Sequence, residues 1–238
     1  MDTENQRLSI IMSSKNKLKK FNDNQGYPNM FQPNYDDVKD GYMMQGKWGA
    51  DFFKNTNPIT LEVGCGKGEY TVGLAANYPQ RNFIGMDIKG ARMWRGCKTS
   101  NENNMNNVAF VRNYVQMVSK IFGKQEIDEL WITFPDPQPK KVKINKRLTS
   151  PPFLKRYSQI LKEGGIINFK TDNEPLFDYT LEVIKEYGHE LIVSVKDLYN
   201  YDGFEEVKAI KTHYEKLFSD QGFAINYMQF RLNMEAST

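Results

Sequence analysis

From residue 59 onward, short apolar runs alternate with polar stretches that carry apolar residues at helical spacing. The first run, ITLEV at 59–63, has the length and β-branched character of a buried strand, and three alternating glycines, Gly64, Gly66 and Gly68, follow it directly. Glu69 to Asn77 then place Val72, Leu74, Ala75 and Ala76 at roughly helical spacing. Further runs at 82–87 (NFIGMD), 108–111 (VAFV), 129–134 (ELWITF), 166–169, 191–195 and 223–232 predict six more strands. Helices are expected from about Gly90, over 154–161 with Gly164 and Gly165 as its stop, over 174–187, and over 205–218 with a core stripe of Val207, Ile210, Tyr214, Leu217 and Phe218. This alternation predicts an α/β fold, a mostly parallel seven-stranded sheet with helices on both faces and an antiparallel C-terminal edge strand.

Before residue 46 neither period is sustained. Residues 1–45 carry Lys15, Lys17, Lys19 and Lys20 close together and read as a flexible basic arm, either solvated or in contact with phosphate. Within and just beyond it, Tyr27 to Trp48 reads as irregular chain packed on the domain. Residues 46–238 read as a single domain. Hydrophobic residues at 39% suffice for a core, and a net charge of +3 makes the location of charge more informative than its sum. Cys65 and Cys97 have no metal or redox spacing, and His189 and His213 are too few and scattered for a metal site. With no signal or membrane-spanning run, a soluble cytoplasmic protein is expected.

The glycine loop is the first candidate site. Glycine accepts positive φ and lets backbone approach a ligand, and the following helix offers its N-terminal N–H groups. The spacing is G-x-G-x-G, and Glu62 stands two residues before the first glycine, where it would repel a pyrophosphate. Both features disfavour an NAD-dependent oxidoreductase. LEVGCGKG resembles the first motif of the class I methyltransferases that use S-adenosylmethionine, whose ammonium and sulfonium suit a nearby carboxylate; a tight turn without ligand is the alternative. Asp87 ends the second strand, 19 residues past Gly68, where a carboxylate accepts from ribose hydroxyls or caps the next helix. Asn113 ends the third strand and could meet an adenine edge.

The fourth strand runs into PDPQPKKVKINKR. Pro135, Pro137 and Pro139 stiffen the loop around Asp136, at the sheet edge where doubly wound folds bind ligands. Lys140, Lys141, Lys143, Lys146 and Arg147 follow without an acid, a block suited either to an anionic polymer or to a solvated turn. Asp172 lies beyond the fifth strand, at the ligand edge or as a helix cap. Thr212 and Glu215, three apart, share a helix face and could meet a base or form an exposed helix edge.

Together, LEVGCGKG, FIGMDIKGAR, FPDPQPKK, FKTDNE and THYE resemble the bacterial tRNA (guanine-N7-)-methyltransferase family over roughly Trp48 to Leu232. The resemblance implies a Rossmann-like class I methyltransferase fold, S-adenosylmethionine as cofactor, tRNA as partner, and methyl transfer to N7 of a variable-loop guanosine. It also implies that Glu62, Gly64, Gly66, Gly68, Asp87, Asn113 and Asp136 bind cofactor, with Asp136 also catalytic. Lys140, Asp172, Thr212, His213, Tyr214 and Glu215 fall on its substrate-binding positions. Lys141, Val142, Lys143, Ile144, Asn145, Lys146 and Arg147 fall on or beside its RNA-contacting segment. Asp87, Asn113 and Gln138 depart from the family's commoner Glu, Asp and Trp, and Gln138 removes an aromatic that could stack. A methyltransferase acting on another RNA base and a non-catalytic RNA-binding module are the remaining alternatives; neither a metal nor a membrane is implied, and the oligomeric state is left open between monomer and homodimer.

Overall fold

The structure, a computed structural model, describes residues 16–234. Its strands are β1 (Met30–Phe31), β2 (Ile59–Val63), β3 (Asn82–Asp87), β4 (Val108–Arg112), β5 (Ile127–Thr133), β6 (Leu161–Thr171), β7 (Glu190–Val195) and β8 (Asn226–Arg231). Helix α1 covers 16–26. It is followed by α2 (Tyr35–Val38), α3 (Glu69–Asn77), α4 (Gly90–Glu102), α5 (Val118–Ile121), α6 (Pro151–Ser158), α7 (Glu174–Glu186), α8 (Glu205–Ala209) and α9 (His213–Asp220). One sheet holds all eight strands in the order β1-β4-β3-β2-β5-β6-β8-β7.

Alternate residues of the strands face opposite sides of the sheet, and an apolar core lies on each face. On β5, Leu130 and Ile132 join the core that contains Phe153 and Phe177, while Trp131 joins the one that contains Tyr70 and Phe110. Every residue of β2 is buried, as a central parallel strand covered on both faces requires. β2 pairs with β3 on one side and β5 on the other, so the strand order reverses there and leaves a crevice above the strand ends.

Four expectations are corrected. The sheet has eight strands because Met30 and Phe31 pair in parallel with Phe110 and Val111. The C-terminal strand is interior: β8 runs antiparallel to β6 on one side and β7 on the other, and its residues are largely buried. The edge belongs to β7, where Leu191 and Ile192 are exposed. Helix α6 starts with two prolines and ends at Ser158, so Leu161 is buried as strand, and Gly164 and Gly165 lie inside β6. The helix expected over 205–218 is two, because the chain leaves helical geometry at Ile210 and restarts under a cap at Thr212; Leu217 is exposed and leaves the stripe.

The described part of the basic arm packs on the domain, with α1 against α4. The Asn24 amide donates to the Gly90 carbonyl, Trp94 Nε1 donates to Asp23, and the Asn113 amide donates to the Pro33 carbonyl. Residues 1–15 lie outside the described part. Among the described residues no helix is long and apolar enough to cross a membrane.

Candidate active site

A cavity of about 340 Å³ opens above the carboxyl ends of β2, β3 and β5, with Gly64, Gly66, Asp87, Asp136, Lys146 and Thr212 among its walls. These six candidates come from five separate segments, brought together by the parallel strand order. A second cavity of about 640 Å³ adjoins it through the shared residues Ile88, Tyr114 and Gln116.

The glycine loop is held from below. Gly64 and Cys65 donate their N–H groups to the Met86 carbonyl, and Gly66 donates to Asp87 Oδ2 at 3.0 Å. Gly68 has φ 71°, and a Cβ built there would lie 2.4 Å from the Phe110 ring, so glycine is needed both for the turn and for close packing. The second Asp87 oxygen accepts from the Lys89 N–H at 2.8 Å, and the carboxylate retains lone pairs facing the cavity.

Glu62 is buried under the loop and is not among the cavity walls. One of its oxygens accepts from the N–H and hydroxyl of Thr71 and the other from the Thr133 hydroxyl at 2.6 Å. Among the described residues no ion pair is found to it, and burial pushes its carboxyl up to about 7 against the pull of those hydrogen bonds. Asn113 lies in the second cavity, its amide donating to the Pro33 carbonyl at 3.1 Å and its oxygen accepting from the Tyr114 N–H.

The chain belongs by sequence to a known family. Residues 56–228 match a family model described as a putative methyltransferase. The tRNA (guanine-N(7)-)-methyltransferase of Christiangramia forsetii is 46% identical over 223 residues, 93% of this chain and 100% of that protein. The protein of the same name from Bacteroides fragilis is 46% identical over 222 residues, 93% of this chain and 87% of its own. The chain is a member of the tRNA (guanine-N(7)-)-methyltransferase family. Among solved structures, the 16S rRNA methyltransferase KamB superposes with a TM-score of 0.58 at 16% identity, covering 76% of this chain and 90% of that one. A 30S ribosomal A1408 methyltransferase from an uncultured bacterium gives 0.56, also at 16%, over 76% and 91%. These two likenesses are of fold: the sheet is that of the class I methyltransferases.

Within this family member the second loop is braced differently from the first. Phe134 and Gln138 have φ 47° and 45°, and the Gln138 N–H donates to Asp136 Oδ1 at 3.0 Å. Arg147 reaches back to this loop: its Nε donates to the Pro137 carbonyl at 3.1 Å and its terminal nitrogen to the Gln138 carbonyl at 3.4 Å. The guanidinium lies 4.3 Å from the centre of the Tyr179 ring. Lys140, Lys141, Val142, Lys143, Ile144 and Asn145 lie on the exposed turn between, with Lys141–Lys146 in a 3-10 helix and Val142 89% exposed.

The Thr212 to Glu215 segment is tied inward. The Thr212 hydroxyl accepts from the Glu215 N–H, and a Glu215 oxygen faces the Thr212 N–H, a capping box that starts α9. Glu215 is fully buried, paired with Lys170 Nζ at 2.6 Å and accepting from the Tyr199 hydroxyl at 2.6 Å. The side chains of His213 and Tyr214 lie outside the described part. Asp172 is half-buried outside the cavity, and burial raises its carboxyl above the usual range; Asn173 caps α7. The residues that sequence reasoning did not single out are Thr71, Thr133 and Lys170, which hold the buried acids. Only Lys170 carried a signal, a lysine directly after the strand run 166–169.

Proposed function

We propose that the chain transfers a methyl group from S-adenosylmethionine to N7 of a guanosine in the variable loop of tRNA. The observation that carries this reading is a single cavity walled by the glycine loop and Asp87 on one side and by Asp136 and Lys146 on the other. The donor set fits the cofactor: backbone approach at Gly64 and Gly66, a carboxylate at the end of β3 for ribose hydroxyls, and an adjoining cavity with Asn113 for a purine edge. When bound, S-adenosylmethionine supplies an electrophilic methyl on a sulfonium.

Guanine N7 carries an exposed lone pair, so no strong base is needed and the protein's task is alignment. Asp136, on a loop stiffened by three prolines and fixed by the Gln138 N–H, is placed to hold the guanine or to face the positive charge that develops on its ring. Thr212 lines the same cavity and adds a hydroxyl at the substrate side. The cations at 140–146 face solvent beside the opening, where phosphates of a polymer would lie.

The test is transfer of labelled methyl to unmodified tRNA transcript, with nucleoside analysis and a variable-loop guanosine-to-adenosine transcript as control. Labelled 7-methylguanosine that disappears in the control is the expected result; methyl on another base would move the reaction elsewhere on RNA. Asp136→Ala should lower turnover by about 10²–10³-fold while S-adenosylhomocysteine still raises the melting temperature. Full turnover by that variant would remove Asp136 from the chemistry.

A further inference from the structure

A second concentration of positive charge, equal to that of the 140–147 segment, lies on α1 and α4 and extends from the rim of the cavity away from it. Helix α1 lies along the start of α4 in the opposite direction: Asn24 meets Gly90, Asp23 meets Trp94, and Lys20 Nζ stands 5.0 Å from the centre of the Trp94 ring. From 16–26 and 89–102 the two segments bring together three and four cations against two acids, a net +5, where the whole chain has +3. Both acids are engaged within the face, Asp23 by the Trp94 N–H and Glu102 by Lys98. Lys17, Lys19, Lys89, Arg92 and Arg95 are exposed, and no ion pair to any of them is found among the described residues.

The face is not an isolated patch. Lys89 and Arg92 reach the wall of the main cavity on one side, and Lys146 reaches it on the other. We infer that α1 and α4 form a second phosphate-binding face, which grips the tRNA backbone across the cavity from the 140–147 segment. A strand whose base enters the cavity has phosphates on both sides of it. One anchor fixes a point, whereas two anchors on opposite sides also fix the direction of the strand. Trp94 supports this use: the ammonium groups of Lys20 and Lys98 stand 5.0 and 5.3 Å from its ring centre, a cation–π contact that orders both on this face.

This inference rests on the reading of the chain as a tRNA methyltransferase, and its test separates the two. The affinity of the full-length protein for unmodified tRNA transcript is measured as a function of salt for wild type and for the triple variant Lys17→Ala, Lys19→Ala, Arg95→Ala. None of these three residues lines the cavity, so the melting shift given by S-adenosylhomocysteine should be retained. Dissociation constants should rise about tenfold, and the slope of log K against log salt should fall by about 2, at roughly 0.7 per lost contact. The charge-keeping variant Lys17→Arg, Lys19→Arg, Arg95→Lys should bind within about twofold of wild type, since point contacts to phosphate need charge more than shape.

Wild-type affinity and slope in the alanine variant would overturn the inference, as would equal losses in the charge-keeping variant. Loss of binding to phosphatidylglycerol vesicles with tRNA binding intact would assign the face to lipid instead. A wild-type protein that forms no 7-methylguanosine would overturn the functional reading itself, whereas normal methylation with an unaffected alanine variant would overturn only the second face.

Discussion

The two loops that meet at the cavity are held by different physics. The glycine loop is fixed by backbone bonds to Met86 and Asp87, by the Phe110 ring under Gly68, and by Glu62 among neutral hydroxyls. The substrate side is braced by two long cations, Arg147 on the proline loop and Lys170 on Glu215. The first arrangement resists change through packing, and the second depends on charge and reach. The two sides should therefore fail under different perturbations.

The largest effect is expected at Lys170. Removing its ammonium by Lys170→Met leaves Glu215 buried without a cation, and one-sided removal of a buried ion pair costs about 3–5 kcal/mol. Urea unfolding should register that loss, and the double variant with Glu215→Leu should recover part of it, because it removes the stranded charge. A single variant as stable as wild type would mean that the pair carries little of the substrate side. On the cofactor side the matching perturbation is steric. Gly68→Ala puts a methyl 2.4 Å from Phe110 at φ 71°, at a cost of roughly 2–4 kcal/mol. The melting shift from S-adenosylhomocysteine should shrink while tRNA affinity changes little.

Legibility in the sequence follows the same division. Strand β2, the three glycines and α3 were readable because every constraint on them is local: a β-branched run, positive φ and helical spacing. The same holds for β3 and Asp87. The order of β7 and β8 was not readable, since the chain returns from α9 to insert β8 between two strands already made, and no local period records that. The break at Ile210 to Thr212 was hidden because Val207, Ile210 and Tyr214 keep helical spacing across it. Arg147 shows the limit most clearly. Its position in a run of cations reads as an RNA contact, and only the fold reveals that its guanidinium is occupied by two carbonyls and a tyrosine ring.

Glu62 allows the neutral character of the cofactor side to be measured through pH. Its carboxyl is raised from 4.5 to about 7, chiefly by burial, so the folded state holds a proton that the unfolded state has released between those values. The stabilising contribution is complete below pH 4.5 and declines as pH rises toward 7, by roughly 3 kcal/mol in all. Glu62→Gln can accept from Thr71 and donate to Thr133, which preserves the packing without the titration. Unfolding free energy of the variant should therefore fall less between pH 4.5 and 7 than that of wild type. Parallel profiles would mean that Glu62 is already ionised in the folded protein and that the cofactor side too is held by charge.

The smallest effect separates charge from reach on the substrate side. Arg147→Lys keeps the positive charge and so keeps any attraction for phosphate, but an ammonium cannot span the Pro137 and Gln138 carbonyls while lying flat on Tyr179. If Arg147 braces the loop, Asp136 loses its fixed position through Gln138, and turnover at saturating tRNA should drop about tenfold, some 1.4 kcal/mol of alignment. The affinity for tRNA and its salt slope should stay near wild type. Lys143→Ala is the converse, since it removes a solvent-facing cation with no part in the brace: KM for tRNA should rise and the salt slope should fall, with turnover at saturation retained. Should Arg147→Lys turn over normally and Arg147→Ala raise only KM, Arg147 is a phosphate contact like its neighbours, and the proline loop owes its position to its prolines alone.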